Sequence, residues 1–171
     1  MPAVTIYTVT APTLVMALKN LSAVLKKGEA YAQERNIEGA VLLNDRLHPT
    51  MLPLTRQVQI ACDVAKGAVA RLAERDNPAF ADTETSFADL YTRIQNTIDF
   101  IMSVPESAYA GAEDRQITLQ AGGNTMQWQG SDYVASFVLP NVYFHCAMTY
   151  GLLRKNGVEL GKRDFLAGGL M

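Results

Sequence analysis

The sequence has few of the features that mark secreted, metal-binding or nucleic-acid-binding proteins. Its 171 residues include only two cysteines, Cys62 and Cys146, whose spacing fits neither a metal-binding motif nor a disulfide framework. The 15 basic and 17 acidic residues give a net charge of -2, and Lys and Arg form no run. The basic surface of a nucleic-acid binder is therefore missing, and we expect no nucleic-acid partner.

Signals for export or membrane insertion are also missing. The amino-terminal segment MPAVTIYTVTAPT has no basic stretch followed by an apolar run, so we expect no signal peptide. No stretch approaches the roughly 18–20 apolar residues that a membrane span needs. Hydrophobic residues still make up 49 % of the chain and charged residues 19 %, as in globular proteins. We predict a cytoplasmic protein without membrane contact, folded as a single domain over residues 1–171.

Four segments have the hydrophobic periodicity of amphipathic helices. We predict helices over about residues 10–35, 53–74, 85–103 and 131–156. Four such helices in a chain of this size predict a four-helix bundle. The residues expected to face its core are Leu14, Leu18, Leu21, Leu25, Gly28, Leu54, Val58, Ala61, Ala65, Ala68, Leu72, Phe87, Leu90, Ile94, Ile98, Ile101, Val134, Phe137, Val138, Met148 and Leu152.

Residues that begin, interrupt and end helices support these bounds. Pro12 falls in the first turn of the first predicted helix, where a missing N–H does no harm. Ser86 and Asp89 have the spacing of a capping box, and Gly157 follows the last helix. Pro140 lies inside that helix and removes one backbone hydrogen bond, so it predicts a kink.

A β-hairpin is predicted between the third and fourth helices. In the segment ITLQAGGNTMQWQG, apolar and polar residues alternate on both sides of a pair of glycines. The hairpin lies near residues 116–129, and it must pack on the helices because a lone hairpin is marginal in water. The predicted fold class is therefore all-α, a four-helix bundle with one small hairpin.

Polar residues interrupt the apolar stripes of two predicted helices. Asn141 and His145 fall within the stripe of the fourth helix, and Thr149 continues their row. On the second helix Gln57 lies within about 60° of the centre of the apolar face. A buried polar group without a partner costs about 1–3 kcal/mol, so Gln57, Asn141 and His145 either satisfy one another or line a site.

Other polar residues are expected to face solvent. On the second helix Gln59 points away from the core, while Arg56, Asp63 and Lys66 form a solvated face or a dimer contact. His48 is expected to be a solvated loop histidine.

The two cysteines and the recognised catalytic motifs give no independent sign of chemistry. Cys62 is expected to be a small buried hydrophobe. Cys146 adjoins His145, but neighbours in a helix point about 100° apart, which argues against a thiol–imidazole pair. The sequence contains no Gly-rich phosphate loop and no Ser nucleophile motif.

The segment NVYFHCAMTYGLLRKNGV resembles the last helix of the DinB/YfiT-like family of four-helix bundles. The tail GLLRKNGVELG matches that family well, and the helix count and order also fit. Together with LTRQVQIACDVAKGAVARL, the ending KNGVELGKRDF looks like an uncharacterised branch of the same group. The resemblance implies a homodimer that belongs to a group of metalloenzymes. Some members of that group act as thiol-dependent transferases or isomerases.

The resemblance also implies positions for a metal site. The paired histidines of the family's last helix correspond to Asn141 and His145, and the histidine of its second helix corresponds best to Gln57. Two amides and one imidazole are weak ligands for zinc or nickel. Two functions stay open: a homodimeric small-molecule-binding or structural bundle, or a metal- or thiol-dependent transferase or hydrolase with His145 as its acid–base group.

Overall fold

The computed structural model describes residues 4–121 and 123–168, and 66 % of the chain is helical. This confirms the helical bundle with a small hairpin. Its elements are α1 (Ile6–Glu34), α2 (Gly39–Leu43), α3 (Leu54–Leu72), α4 (Phe87–Ser103), a 3-10 turn (Glu106–Tyr109), β1 (Gln116–Ala121), β2 (Asn124–Gln129), α5 (Gly130–Asp132), a π-helical segment (Tyr133–Val138), α6 (Leu139–Lys155) and α7 (Lys162–Ala167).

The first helix begins earlier than predicted. Thr5 caps α1 in a capping box with Thr8, so the helix starts at Ile6 instead of near residue 10. Pro12 consequently lies in the second turn, inside the helix, and the prediction that it occupies the first turn was wrong. Two short helices, α2 and α7, lie in regions for which no helix was predicted.

The ends of the helices follow local rules. Ser86 and Asp89 form the predicted capping box of α4, since the Asp89 N–H donates to Ser86 Oγ (3.1 Å) and the Ser86 N–H to Asp89 Oδ2 (2.9 Å). At the end of α6, Gly157 has a φ of 95°, and the Val158 N–H donates to the Leu153 carbonyl. This is a Schellman motif, which confirms the predicted helix end.

Helix α3 has the most extensive packing within the bundle. It packs most extensively on α6 and then on α4, while α1 packs on both α4 and α6. A Cβ atom added at Gly28 of α1 would lie 2.8 Å from Leu153 Cδ2, so a glycine there permits close packing of α1 on α6. The buried apolar residues of all four long helical segments belong to one core, from Ile6 to Leu160. The assignment of one domain to residues 1–171 stays a prediction.

The hairpin has the predicted position. Ile117 pairs with Trp128 and Leu119 with Met126, and the strands are antiparallel. Trp128 packs against Tyr133 and Phe137, with ring centroids 5.5 Å and 5.1 Å away. The hairpin is thus fixed to the helix that follows it. Gly122, the first of the two turn glycines, lies outside the described residues.

The last long helical segment changes its hydrogen-bonding pattern before the proline. Residues 133–138 are π-helical, and Pro140 lies in the first turn of α6. A proline cannot donate the backbone hydrogen bond of a regular helix, and a π-helical turn is one known way to accommodate such a break. The structure thus shows a change of hydrogen-bonding pattern next to Pro140, and the kink itself stays a prediction.

The length and composition of α1 meet the test for a membrane span. It has 29 residues and contains an 18-residue window of mean hydropathy 1.3, although the sequence was predicted to hold no such stretch. Half of that window is buried inside the bundle. Leu14, Leu18 and Leu25 are each fully buried, so α1 functions as a core helix of this fold.

Candidate functional site

The structure brings Gln57 of α3 and His145 of α6 into direct contact. Gln57 Oε1 lies 2.7 Å from His145 Nδ1, and both residues are buried, with 2 % and 8 % of their surface exposed. Helical periodicity placed both side chains on core-facing stripes, and the packing of α3 on α6 joins them. The contact links residues 88 positions apart in the sequence.

The hydrogen bonds around the pair fix the tautomer of the imidazole. Gln57 Nε2 donates to the Leu52 carbonyl (3.0 Å), so the amide atom that faces His145 is the acceptor Oε1. Nδ1 of His145 must therefore carry a hydrogen and donate it. In the neutral ring, the lone pair is then on Nε2.

His145 Nε2 retains some access to solvent. In the described part of the chain, only Thr10 Oγ1, Arg93 Nε and the Tyr109 hydroxyl are fully buried side-chain atoms without a partner. Nε2 is not among them, and none of the residues in 4–121 and 123–168 forms a hydrogen bond to it. Burial lowers the pKa of His145, so the ring is held in its neutral form near pH 7.

Asn141 does not join this pair. It lies one turn before His145 on α6 and is half-buried. Across residues 4–121 and 123–168, no hydrogen bond connects its amide to Gln57 or His145. Thr149, one turn further along, is fully buried and donates to the His145 carbonyl (3.0 Å). The predicted convergence therefore holds for two of the three residues, and Asn141 lies beside the pair.

The residues at these positions do not suit a metal ion. Gln57 Oε1 is already occupied by the imidazole N–H, and His145 supplies a single nitrogen ligand. Zinc sites in proteins use three or four ligands drawn from Cys, His, Asp and Glu. Within the described ranges, no group of three or more such residues has a geometry that would hold a metal ion.

Neither the two cysteines nor His48 is placed for catalysis. Burial raises the pKa of Cys62 and of Cys146 to about 12, so both are thiols rather than reactive thiolates at neutral pH. Cys62 is a buried small hydrophobe, as predicted. His48 is exposed in its loop and its Nδ1 lies 3.0 Å from Thr50 Oγ1, which confirms it as a solvated loop histidine.

A buried charge cluster on the other side of α3 was missed. Gln59 and Lys66 were expected to face solvent, but they are only 2 % and 5 % exposed. The loop between α3 and α4, residues 73–86, covers them: Gln59 Nε2 donates to Glu84 Oε2 (2.6 Å), and Lys66 Nζ lies 5.1 Å from the Phe80 ring centre. The prediction that this face of α3 points away from the core between the helices was correct. The loop of residues 73–86 nevertheless covers the face and buries Gln59 and Lys66.

Arg93 of α4 is the centre of this cluster. Its guanidinium contacts Asp63 (2.8 Å), Asp82 (3.1 Å) and Glu84 (2.8 Å). Asp63 also pairs with Lys66. Arg56 pairs with Asp82, so Arg56, Asp63 and Lys66 are bonded within the chain and are not a free solvated face. The only sequence signal was the position of Arg93, three residues after Leu90 on the apolar stripe of α4.

Comparisons with known proteins agree with this fold. The chain matches, over residues 6–166, the family described as a domain of unknown function, DUF1993. It is also similar to the crystal structure of a DinB family member from Shewanella denitrificans, with 40 % sequence identity and a TM-score of 0.88. That match covers 94 % of this chain and 90 % of the other. No curated protein matches the sequence. The chain therefore belongs to the DUF1993 family, among the DinB-like helical proteins.

Proposed function

We propose that this protein is a cytoplasmic, homodimeric bundle that binds a small molecule at His145 without a resident metal. The observation that carries the proposal is the 2.7 Å contact between Gln57 Oε1 and His145 Nδ1. An imidazole that donates through Nδ1 presents Nε2 as an acceptor. A ligand with a hydroxyl or amine donor is therefore complementary to it.

Asn141 supports the same location for the ligand. It is half-buried one turn away from His145, and its amide supplies both a donor and an acceptor. Residues four apart in a helix share a face, so Asn141 and His145 can contact one molecule. Gln57 holds the imidazole in place and does not itself need to touch the ligand.

The outer face of α6 supports the homodimer. Phe144 is 54 % exposed, Ala147 is exposed, and a Cβ atom added at Gly151 would meet no atom within 4 Å. These positions recur at helical spacing and form a flat apolar strip that a second copy could cover by helix packing. The alanines of α3 do not form the dimer contact, because Ala61, Ala65 and Ala68 are fully buried inside the chain.

Chemical modification of the two histidines tests whether His145 is accessible. Diethyl pyrocarbonate acylates neutral imidazole nitrogens, and the chain contains only His48 and His145. We expect His48 to react quickly and His145 more slowly but completely in the folded protein. Asn141→Phe should protect His145 without affecting His48. If His145 reacts only after unfolding, Nε2 is closed off and the ligand site is wrong.

A catalytic role is the second candidate, and the tautomer of His145 favours it. A neutral imidazole with a fixed Nδ1–H and an accessible Nε2 has the form of a general base. In that reading the protein is a transferase or hydrolase, and His145 removes a proton from the substrate at Nε2. Metal analysis of untagged protein distinguishes metal-dependent chemistry from metal-free chemistry. Stoichiometric zinc or nickel would overturn the metal-free proposal.

A further inference from the structure

A separate cavity lies between α1, α6 and α7. It has a volume of about 90 Å³, and most of its wall is apolar. Cys146 lies on this wall, and burial keeps its thiol neutral. Among the described residues, its lining includes Ala17, Asn20, Leu21, Tyr143, Cys146 and Leu166.

The short helix α7 closes one side of this cavity. Asn20 Nδ2 donates to the Leu166 carbonyl (2.9 Å), and Lys27 Nζ pairs with Asp164 (2.6 Å). The ring of Phe165 packs edge-on against Tyr150, with centroids 6.1 Å apart. Packing on α1, one buried amide bond and one salt bridge at the surface thus hold α7 in place.

The exposed wall residues locate the entrance. Tyr143 is 41 % exposed and Leu166 is 55 % exposed, while Ala17, Leu21 and Val24 on the opposite wall are buried. The entrance thus lies between α6 and α7. The phenol of Tyr143 at the entrance and the amide of Asn20 are polar groups in a mostly apolar wall.

We propose that this cavity binds the apolar end of a small amphiphile. A short alkyl chain enters between Tyr143 and Leu166, and its polar group stays at the surface beside the Tyr143 hydroxyl. The volume equals roughly three water-sized groups of about 30 Å³ each, which limits the buried part to a few methylene groups. The inference does not rest on the proposed function, because this cavity shares no residue with the Gln57–His145 pair.

Straight-chain alcohols are suitable probes. Isotope-labelled protein is titrated with 1-propanol, 1-butanol, 1-pentanol and 1-hexanol while amide chemical shifts are recorded by NMR. Each CH₂ that enters the cavity should strengthen binding about fourfold, and the gain should stop once the cavity is full. The shifts should be confined to residues 16–24, 143–146 and 162–167. Shifts elsewhere, or affinity that rises evenly through 1-hexanol, would overturn the proposal.

A matched pair of variants on α1 provides the control. Ala17→Leu fills the cavity and should weaken 1-butanol binding at least tenfold. Ala30→Leu adds the same atoms to the exposed face of α1 and should leave binding unchanged. Circular dichroism checks that each variant is folded. The shift map of the unaltered protein decides the matter even if Ala17→Leu does not fold. Equal binding by both variants would contradict the assignment.

Discussion

Gln57 Oε1 and His145 Nδ1 lie 2.7 Å apart in the buried contact between α3 and α6. Since Gln57 also donates to the Leu52 carbonyl, one amide joins the loop before α3 to the imidazole of α6. The pair satisfies two buried polar groups that would otherwise cost about 1–3 kcal/mol each. It occupies positions where the resemblance to DinB-like proteins implies metal-binding histidines.

The first prediction concerns metal binding. Gln57→His together with Asn141→His should bind nickel or zinc at least tenfold more tightly than the wild type, about 1.4 kcal/mol. The reason is that three imidazoles from two facing helices replace one imidazole and two amides. Isothermal titration measures both proteins. A further His145→Ala change in the double variant should remove the gain, and unchanged affinity in a folded double variant would refute the alignment.

The second prediction concerns pH. Burial lowers the pKa of His145 from 6.5 in the folded state, so the unfolded chain binds more protons as the pH falls below about 6.5. Stability should therefore decrease from pH 7 to pH 5, by at most about 1.4 kcal/mol per unit. His145→Gln should flatten this dependence, as measured by urea unfolding at each pH.

His48→Gln is the control for the pH experiment. His48 is the other histidine of the chain and lies on an exposed loop, so a slope that changes in both variants would not be assigned to His145. The carboxylates whose pKa is lowered, including Asp82 and Asp164, titrate below 3.8 and do not contribute in this range. A slope that persists in His145→Gln would show that another group is responsible.

The third prediction concerns association. Sedimentation should give twice the chain mass of 18.7 kDa. Phe144→Lys places a charge on the apolar strip of α6 and should shift the protein to monomer. Met102→Lys changes a residue of α4 that is 69 % exposed and should leave the dimer intact. A wild-type monomer at tens of micromolar, or dissociation by both variants, would count against this interface.

The fourth prediction concerns the charge cluster. Arg93→Met should lower the free energy of unfolding by about 2–3 kcal/mol, because Glu84 is left buried without its cation. The estimate is below the usual cost of a broken buried pair, since Asp63 and Asp82 stay partly solvated. Arg56→Met is the matched control. Its side chain is 39 % exposed and should cost less than about 1 kcal/mol. Equal losses in urea unfolding would mean that Arg93 is not central.

The fifth prediction compares two glycines. A Cβ atom added at Gly130 would collide with the Ala112 carbonyl oxygen, so Gly130→Ala should destabilise the protein by about 1–3 kcal/mol. At Gly151, inside α6, an added Cβ meets nothing of its own chain within 4 Å, so in the monomeric Phe144→Lys background Gly151→Ala should stabilise by about 0.5–1 kcal/mol. Thermal unfolding of both variants measures the difference. Effects of the same sign would contradict this packing.

Local patterns in the sequence were enough to predict the four long helical segments, the hairpin and the burial of Gln57 and His145. The capping box of Ser86 and Asp89 depends on residues three apart, and Gln57 and His145 were placed correctly by helical periodicity alone. The burial of Gln59 and Lys66 was not predictable in this way. It depends on a loop more than ten residues further along, whose path is determined by tertiary contacts to Arg93.

Asn141 shows the other limit of periodicity. Its place on the stripe of α6 correctly put it on the same side as His145, but it is only half-buried. The apolar stripe shows on which side of the helix a residue lies, but not how deeply its side chain is buried. Burial depends on which neighbouring element covers that turn of the helix. For the same reason, no pattern within α1 or α6 indicated that α7 would enclose a cavity between them.

The loop of residues 73–86 is attached to the bundle differently from the helices. Its main bonds are the charged contacts of Asp82 and Glu84 with Arg93, supported by the ring of Phe80. Asp82 is 43 % exposed, so its contact with Arg93 weakens as salt rises, whereas the Arg93–Glu84 pair is buried and is screened much less. We therefore expect the stretch of this loop around Asp82 to open more readily, in native-state hydrogen exchange, than the helices beneath it.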